Sequence, residues 1–354
     1  MKVSPEQALA FRLARHHLTE RTTPLEAAVV GLQDTPPGTA GAALAARADV
    51  GPDALGELVT VPSLRGAPTA VALADLAMFT AGLEPSDEEE ARHLTGNAWK
   101  SLDGMGALEA LDFASEAVRD VLADGPLAKS DFHRALTERV PEPLRWWCKG
   151  CDEYHVHPSV WRATGIRGVL AIVGRDGRTP VFGASPPASP MDDPGGALAR
   201  RYLQVHGPAT PQLFRLWAML TLPHAKRLWE RAGELAPVGE KWVLAEDAEL
   251  DAPAPKGARL LPNLDPLASA KDREVLVPDG QLRKRIWTSL GGPGMVLVDG
   301  EVAGLWRPAK KGKRLVVNVE PLGAALPEEA LAEEAERLAP FRGCETAEVV
   351  RAAA

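Results

Sequence analysis

The chain has 354 residues, a formal charge of −8 and a pI near 5.6, so it has room for two or three domains and lacks the overall basic excess that marks many nucleic-acid binders. Apolar residues make up 45% and aromatics 5%, while 32 glycines and 31 prolines call for many turns between short elements. No apolar run of about 18 residues and no signal-peptide pattern is visible, and two of the three cysteines share one CxxC, which argues against a disulfide framework and for a soluble, cytoplasmic protein.

Apolar spacing predicts a first helix carrying Ala8, Phe11, Leu13 and Leu18, with Arg12, Arg15, His16 and His17 clustered along it. A second helix is expected from Pro24 through Val29, Val30 and Leu32, because proline suits a helix start. It stops at Gln33-Asp34-Thr35-Pro36-Pro37-Gly38, and an Ala-rich helix follows to Arg47. Residues 71 to 79 fit a strand or a helix. Two further helices are expected from Glu88 to Leu122, joined near Gly104.

A short unit then occurs twice. The copies are Asp124-Gly125-Pro126-Leu127-Ala128-Lys129-Ser130-Asp131-Phe132 and His206-Gly207-Pro208-Ala209-Thr210-Pro211-Gln212-Leu213-Phe214. In each, Gly-Pro closes one helix, because glycine tolerates the left-handed conformation and proline blocks continuation. Ser130 and Thr210 are the expected N-caps of the helices that follow, with apolar faces Phe132, Leu136, Val140 and Phe214, Trp217, Leu220. Helix, tight turn and helix is the frame of a helix-turn-helix, which becomes winged when a β-hairpin is added. The alternating stretch 168–173 with the Gly-Arg-Asp-Gly-Arg turn at 174–178 supplies a candidate wing.

After a Ser/Pro linker from Ser185 to Pro194, helices are expected over 198–205 and 224–235, and a strand at Trp242-Val243-Leu244. The clearest β-pattern is C-terminal: 295–298, an Asp299-Gly300 turn, 302–307, a basic loop and 315–319, followed by an acidic helix from Pro327 to Leu338 that is solvated on one face. These divisions give three modules, 1–122, 123–197 and 198–354, in an α+β, mainly helical chain.

Two constellations carry chemistry. Cys148-Lys149-Gly150-Cys151 is followed by His155 and His157. A two-residue spacer lets both thiolates reach one metal, and His155 is the third candidate ligand, with His157 or Cys344 as a fourth. The alternative is a packed strand turn among Trp146, Trp147 and Tyr154 in which cysteine acts as a small hydrophobe. No cofactor is expected apart from a structural zinc ion if the first reading holds. The basic candidates are Lys310, Lys311, Lys313 and Arg314 at a hairpin tip, with Lys226, Arg227 and the Arg283-Lys284-Arg285 run. Flexible cations at a wing tip suit phosphate contact without base reading, and an ordinary solvated turn is the alternative.

The chain resembles the winged-helix DNA-binding family that contains the AlkZ/YcaQ-type DNA glycosylases, which excise bulky alkylated bases and unhook interstrand crosslinks. The resemblance rests on Leu13 to Leu18, Gly31-Leu32-Gln33, Arg200-Arg201-Tyr202-Leu203 with the following His206-Gly207-Pro208-Ala209-Thr210, Leu260-Leu261-Pro262 with Asp265-Pro266, Asp272-Arg273, and residues 296–307. It implies three tandem winged-helix modules curved around double-stranded DNA, bound by a monomer associated with the nucleoid. Arg15, His17, Lys226, Arg227, Lys310, Lys311, Lys313 and Arg314 are the expected DNA contacts.

Members of that family resemble one another in a loop with two polar residues flanking an aliphatic one, Gln-aliphatic-Gln or Gln-aliphatic-Asp, which positions a water at the glycosidic carbon. Here the loop runs Gly31-Leu32-Gln33-Asp34-Thr35, and neither register restores the pair. Gln33 and Asp34 are the expected catalytic residues if the pair survives in shifted form. Otherwise Asp34 caps a turn. The expectation is therefore a duplex-DNA-binding protein, with an active glycosylase on bulky N-alkylated purines or crosslinks as the alternative and a protein-interaction scaffold as the third class.

Overall fold

A computed structural model describes residues 3–288, 291–323 and 325–351. Helix accounts for 43% and strand for 23% of the described residues. Two compact units are each assembled from separate stretches: Met1–Leu58, Arg200–Leu213 and Gly233–Ala354 make the first, and Val59–Ala199 with Phe214–Ala232 the second. The divisions expected after residues 122 and 197 both lie within the second unit.

The first helix, α1 (Pro5–Arg15), starts with a capping box: Ser4 accepts from the Gln7 N–H, and Gln7 Oε1 accepts from the Ser4 N–H at 3.0 Å. Thr23 and Glu26 form the same device at α2 (Pro24–Ala27). That helix ends after one turn rather than running to Leu32. Gly31 at φ 74° reverses the chain, and Leu32–Gln33 become the short strand β1. The Ala-rich α3 (Thr39–Ala45) follows, wholly buried. Its Gly41 is needed, since a Cβ there would sit 2.9 Å from the Phe341 ring.

The second unit opens with the neighbouring strands β2 (Leu58–Pro62) and β3 (Pro68–Ala72), then α4 (Leu76–Phe79) and α5 (Glu88–Thr95). Of residues 71 to 79, the first two thus end a strand and the rest are helical, a 3-10 turn over Leu73–Asp75 running into α4. The long α6 (Ala107–Val121) buries Ala107, Ala110, Leu111, Ala114, Val118 and Val121, the three- and four-residue spacing of a helix facing a core. Next come β4 (Leu127–Ala128) and α7 (Lys129–Arg139). Its N-cap is Ala128, not Ser130, because β4 extends the chain right up to Lys129. A separate hairpin, β5 (Arg145–Cys148) and β6 (Glu153–Val156), precedes α8 (Pro158–Ala163) and a second hairpin, β7 (Leu170–Asp176) and β8 (Thr179–Ala184). The strands order β4-β8-β7. Phe132 lies against Phe182 with centroids 4.7 Å apart in a core that also takes Leu136, Val160 and Trp161.

The chain then runs through α9 (Pro194–His206), α10 (Pro211–Ala218), α11 (Leu222–Trp229) and the hairpin β9 (Leu235–Val238) with β10 (Lys241–Leu244). Thr210 accepts from the Leu213 N–H as expected of a cap, and Ala209 bridges antiparallel to Trp242. The α11 helix ends at Trp229 rather than Leu235: the Arg231 and Ala232 N–H groups turn back onto the Leu228 and Trp229 carbonyls, and Gly233 at φ 112° redirects the chain towards β9.

The rest of the first unit is β11 (Ala258–Leu261), α12 (Gly280–Ile286), β12 (Gly294–Val298), β13 (Glu301–Lys311), β14 (Arg314–Pro321), α13 (Glu328–Leu338) and β15 (Thr346–Arg351). The five strands form one sheet in chain order, antiparallel until β15 joins β14 in parallel through the crossover of α13. The expected hairpins are therefore part of a larger sheet. As expected, α13 buries one side, Leu331, Glu334, Ala335 and Leu338.

Candidate functional site

A layer of buried charge organises the first unit. Arg12 on α1, 2% exposed, forks onto Asp272 at 2.9 and 2.8 Å and donates to the Gly207 and Pro208 carbonyls at 3.2 and 3.1 Å. Lys241 adds a bond of 2.6 Å to the same carboxylate. Burial opposes ionisation of Asp272, but Arg12 and Lys241 outweigh it and hold the carboxyl below its ordinary range. Just beyond α3, Arg47 makes a second fork, 2.8 and 2.7 Å onto Asp265, and donates to the Ala43 carbonyl at 2.9 Å. His16 lies edge-on to His206, centroids 4.8 Å apart, and burial pushes its pKa well below 6.5. The second Gly-Pro copy is thus more than punctuation: its carbonyls receive a buried guanidinium.

The loop from β1 into α3 is built on Asp34. Its Oδ1 accepts from the Gly38 N–H at 2.7 Å and the Ala40 N–H at 3.2 Å, so the carboxylate caps α3 from upstream. Gly38, at φ 90°, supplies the left-handed turn, and Thr39 Oγ1 donates to the Pro36 carbonyl. Gln33 is half-buried beside Asp34, and Thr35 is exposed. Arg342 faces the loop: a Cβ on Gly38 would lie 3.5 Å from its Nη1, and Asp34 acts on its charge. The cap role foreseen as the alternative for Asp34 is realised, and it leaves the carboxylate in a fixed position next to Gln33.

Several expected DNA contacts have other duties. Arg15 pairs with the buried Asp247. Arg227 forks onto the buried Glu90 at 2.7 and 3.1 Å and donates to Ser86 Oγ. Burial resists Glu90 ionisation, yet Arg227 and the Ser86 N–H bring its pKa down to about 2. At the β13–β14 tip Lys313 pairs with Glu345, Arg314 with Glu348 at 3.0 Å, and Lys310 donates to the Gly343 carbonyl. Lys226 and Lys311 are exposed, and His17 is half-buried at φ 54°, its pKa lowered by burial. The tip pairs are solvent-exposed and add little to stability. Arg227 is not spare, because it neutralises a carboxylate 5% exposed.

Sequence reasoning missed a cavity in the second unit. Arg65, Arg162, His93 and His224 line it with the single carboxylate Glu90. Arg65 donates to the Trp217 carbonyl at 2.7 Å, and burial lowers its pKa to about 10. His224 Nδ1 is 3.3 Å from Glu90 Oε2. These residues are far apart in sequence, with no motif spacing to join them.

The β5–β6 hairpin gathers the remaining candidates. Ligand atoms of Cys148, Cys151 and His155 all lie within 4.8 Å of one another. Chiefly through a hydrogen bond with His155, the Cys148 thiol is drawn down to about 7, while hydrogen bonding with Cys148 raises that of Cys151. His157, weighed above as a fourth ligand, caps α8 instead, accepting from the Ser159 N–H at 3.2 Å. Cys344 is buried in the core of the first unit.

Residues 27–341 match the family described as DNA glycosylase AlkZ-like. The fold is similar to that of Streptomyces sahachiroi DNA glycosylase AlkZ, with a TM-score of 0.74 and 23% identity over 99% of this chain and 100% of that one. No curated protein matches.

Proposed function

The chain belongs to the AlkZ-like DNA glycosylase family, and on that premise we propose that it is a DNA repair glycosylase that hydrolyses the glycosidic bond of a bulky N-alkylated purine in double-stranded DNA. The observation that carries this reading is the family match over residues 27–341, which includes the Gln33-Asp34 loop. Two stretches support the expected scaffold. Residues 194–244 run helix, bridge, helix, helix, hairpin, and residues 107–184 run the same way with a short strand for the bridge and the β5–β6 hairpin inserted between α7 and α8; there the strands order β4-β8-β7. We read both as winged-helix modules that hold duplex DNA.

The chemistry asks little of the protein. An N7-alkylated guanine is already cationic, so the electrons of the breaking C1′–N9 bond neutralise the base as it departs and no general acid is needed. What is needed is a placed water and negative charge beside the oxocarbenium-like sugar. Gln33 would orient the water, which forms the new C1′–O bond. Asp34, its Oδ1 pinned by two backbone N–H groups, would stabilise the sugar cation and receive the water's proton. Pinning suits this role, because a preorganised carboxylate need not reorient as charge develops.

The test is incubation with an N7-alkylguanine duplex followed by cleavage at abasic sites. Strand breaks are expected, and Gln33→Ala should lower the excision rate by about 100-fold or more while duplex binding persists. Absence of abasic product at enzyme excess would sink the glycosylase reading. Duplex binding without product would instead favour a non-excising binder, a reading supported by Gly31 and Thr35 standing where the family pattern has polar partners.

A further inference from the structure

We propose that Cys148, Cys151 and His155 bind one zinc ion in a tetrahedral Cys2His site at the end of the β5–β6 hairpin, with the fourth position open to solvent. In the hairpin register Trp146 faces His155 and Cys148 faces Glu153, so Cys148 and His155 are diagonal neighbours on one face. Cys151 returns to them through the turn, in which Asp152 takes a left-handed φ of 57° and donates its N–H to the Cys148 carbonyl at 2.9 Å. Zinc bonds of about 2.3 Å to sulfur and 2.0 Å to nitrogen put tetrahedral ligand atoms about 3.5–3.8 Å apart. Atoms already within 4.8 Å of one another need only a small contraction to reach that spacing.

Three observations point to a metal rather than a packed turn. A cysteine used as a small hydrophobe is buried, as Cys344 is, whereas Cys151 is exposed and Cys148 only half-buried. The turn is tight around the Cys148 sulfur: the Cys151 N–H donates to the Cys148 carbonyl at 3.2 Å, and a Cβ built on Gly150 would lie 3.9 Å from that sulfur, the close backbone wrap of a metal-binding knuckle. The His155 ring is fixed by its Nδ1, 3.0 Å from the Val156 carbonyl oxygen, so the tautomer that donates there carries its lone pair on Nε2.

There is also a structural need. β5 and β6 form a two-stranded sheet of their own, anchored at its base by Val156 in the core with Phe132 and Leu136, and a two-stranded hairpin gains little stability from its own pairing. On its opposite face Trp147 and Tyr154 pair at 4.9 Å while 43% and 60% exposed, so little burial holds this end together. An ion joining the turn to both strands would supply the missing constraint, and its binding would release the thiol protons of Cys148 and Cys151.

The test uses the full chain, expressed with zinc supplied and purified under reducing conditions. Elemental analysis should find one zinc per chain, and cobalt in its place should give the visible bands of a tetrahedral ion with thiolate charge transfer in the near ultraviolet. Cys148→Ser and Cys151→Ser should abolish the cobalt spectrum, His155→Ala should weaken zinc affinity by about 100-fold or more, and Cys344→Ser should leave both unchanged. Because a ligand variant can misfold, thiol alkylation of the unaltered protein is the second measurement. Zinc should protect Cys148 and Cys151, and a chelator should expose them. Metal-free protein that gives no cobalt spectrum, or alkylation of Cys148 and Cys151 unaffected by zinc, would overturn the proposal.

Discussion

Substitution can separate the cap that Asp34 forms from the catalytic role proposed for it. Asparagine keeps an oxygen for the Gly38 and Ala40 N–H groups but removes the charge, whereas alanine removes both. If the carboxylate stabilises the sugar cation, Asp34→Asn should lose excision by about 100-fold or more with its melting temperature nearly unchanged. Asp34→Ala should lose excision and also about 0.5–2 kcal/mol of stability with the cap, read from urea midpoints. Asparagine with full activity would confine Asp34 to the turn. His16 gives a prediction of different sign. Burial keeps it neutral in the folded chain, while the unfolded chain takes up its proton near pH 6.5. Its contribution is complete above about pH 6.5 and is lost as pH falls below it, by about 1.4 kcal/mol per pH unit until the folded group titrates. The stability slope between pH 6.5 and 5 should therefore be shallower by about one proton in His16→Phe, measured by urea unfolding across that range. An equal slope would contradict the neutral, buried His16.

Among the elements, the C-terminal sheet offers a sharp steric test. Gly294 faces Trp306 across β12 and β13, and a Cβ there would lie 2.3 Å from the indole Nε1 that donates to the Leu261 carbonyl at 2.8 Å. Gly294→Ala should therefore cost about 3 kcal/mol or more, since it overpacks the core and breaks a buried hydrogen bond. Differential scanning calorimetry would show it, and an unchanged melting temperature would refute the contact. Three strands of this sheet, β12, β13 and β14, were legible because alternation and the Asp299-Gly300 turn are local signals, whereas β11 and β15, which join it across longer connections, were not. The stripe of α6 is local in the same way, and so are the capping boxes at Ser4 and Thr23, which the helix expectations did not include. What the sequence concealed is long-range. Arg12 and Asp272 are 260 positions apart, and each alone looks like a surface charge. Likewise, nothing within the Lys226-Arg227 pair says that Arg227 neutralises Glu90. Periodicity also overran α2, where the left-handed Gly31 outweighs the helical spacing of Val29, Val30 and Leu32. At the candidate site the cap role of Asp34 could be read from its Pro-Pro-Gly turn, whereas Arg342 facing it could not.

For the whole molecule, a formal charge of −8 means that the DNA affinity proposed for it would have to come from local cations working against a repulsive background. Such binding is steeply salt-dependent, because each neutralised phosphate releases counterions and adds about 0.9 to the slope of log affinity against log salt. The fold divides the basic residues into two kinds. Lys226 and Lys311 are exposed, whereas Arg227 forks onto a buried carboxylate. If Lys311 contacts phosphate, Lys311→Ser should weaken duplex binding alike for every sequence and flatten the salt slope by about 0.9, with stability unchanged. Arg227→Ser should do the reverse in its main effect. It would leave Glu90 short of donors and cost about 1–3 kcal/mol of folding stability. Fluorescence anisotropy on one duplex at several salt concentrations, paired with urea unfolding of both variants, separates the two. A flattened slope in Arg227→Ser at full stability would show that its pairing with Glu90 gives way to DNA. An unchanged slope in Lys311→Ser would remove the β13–β14 tip from the binding surface and leave the affinity to be supplied by other cations of the scaffold.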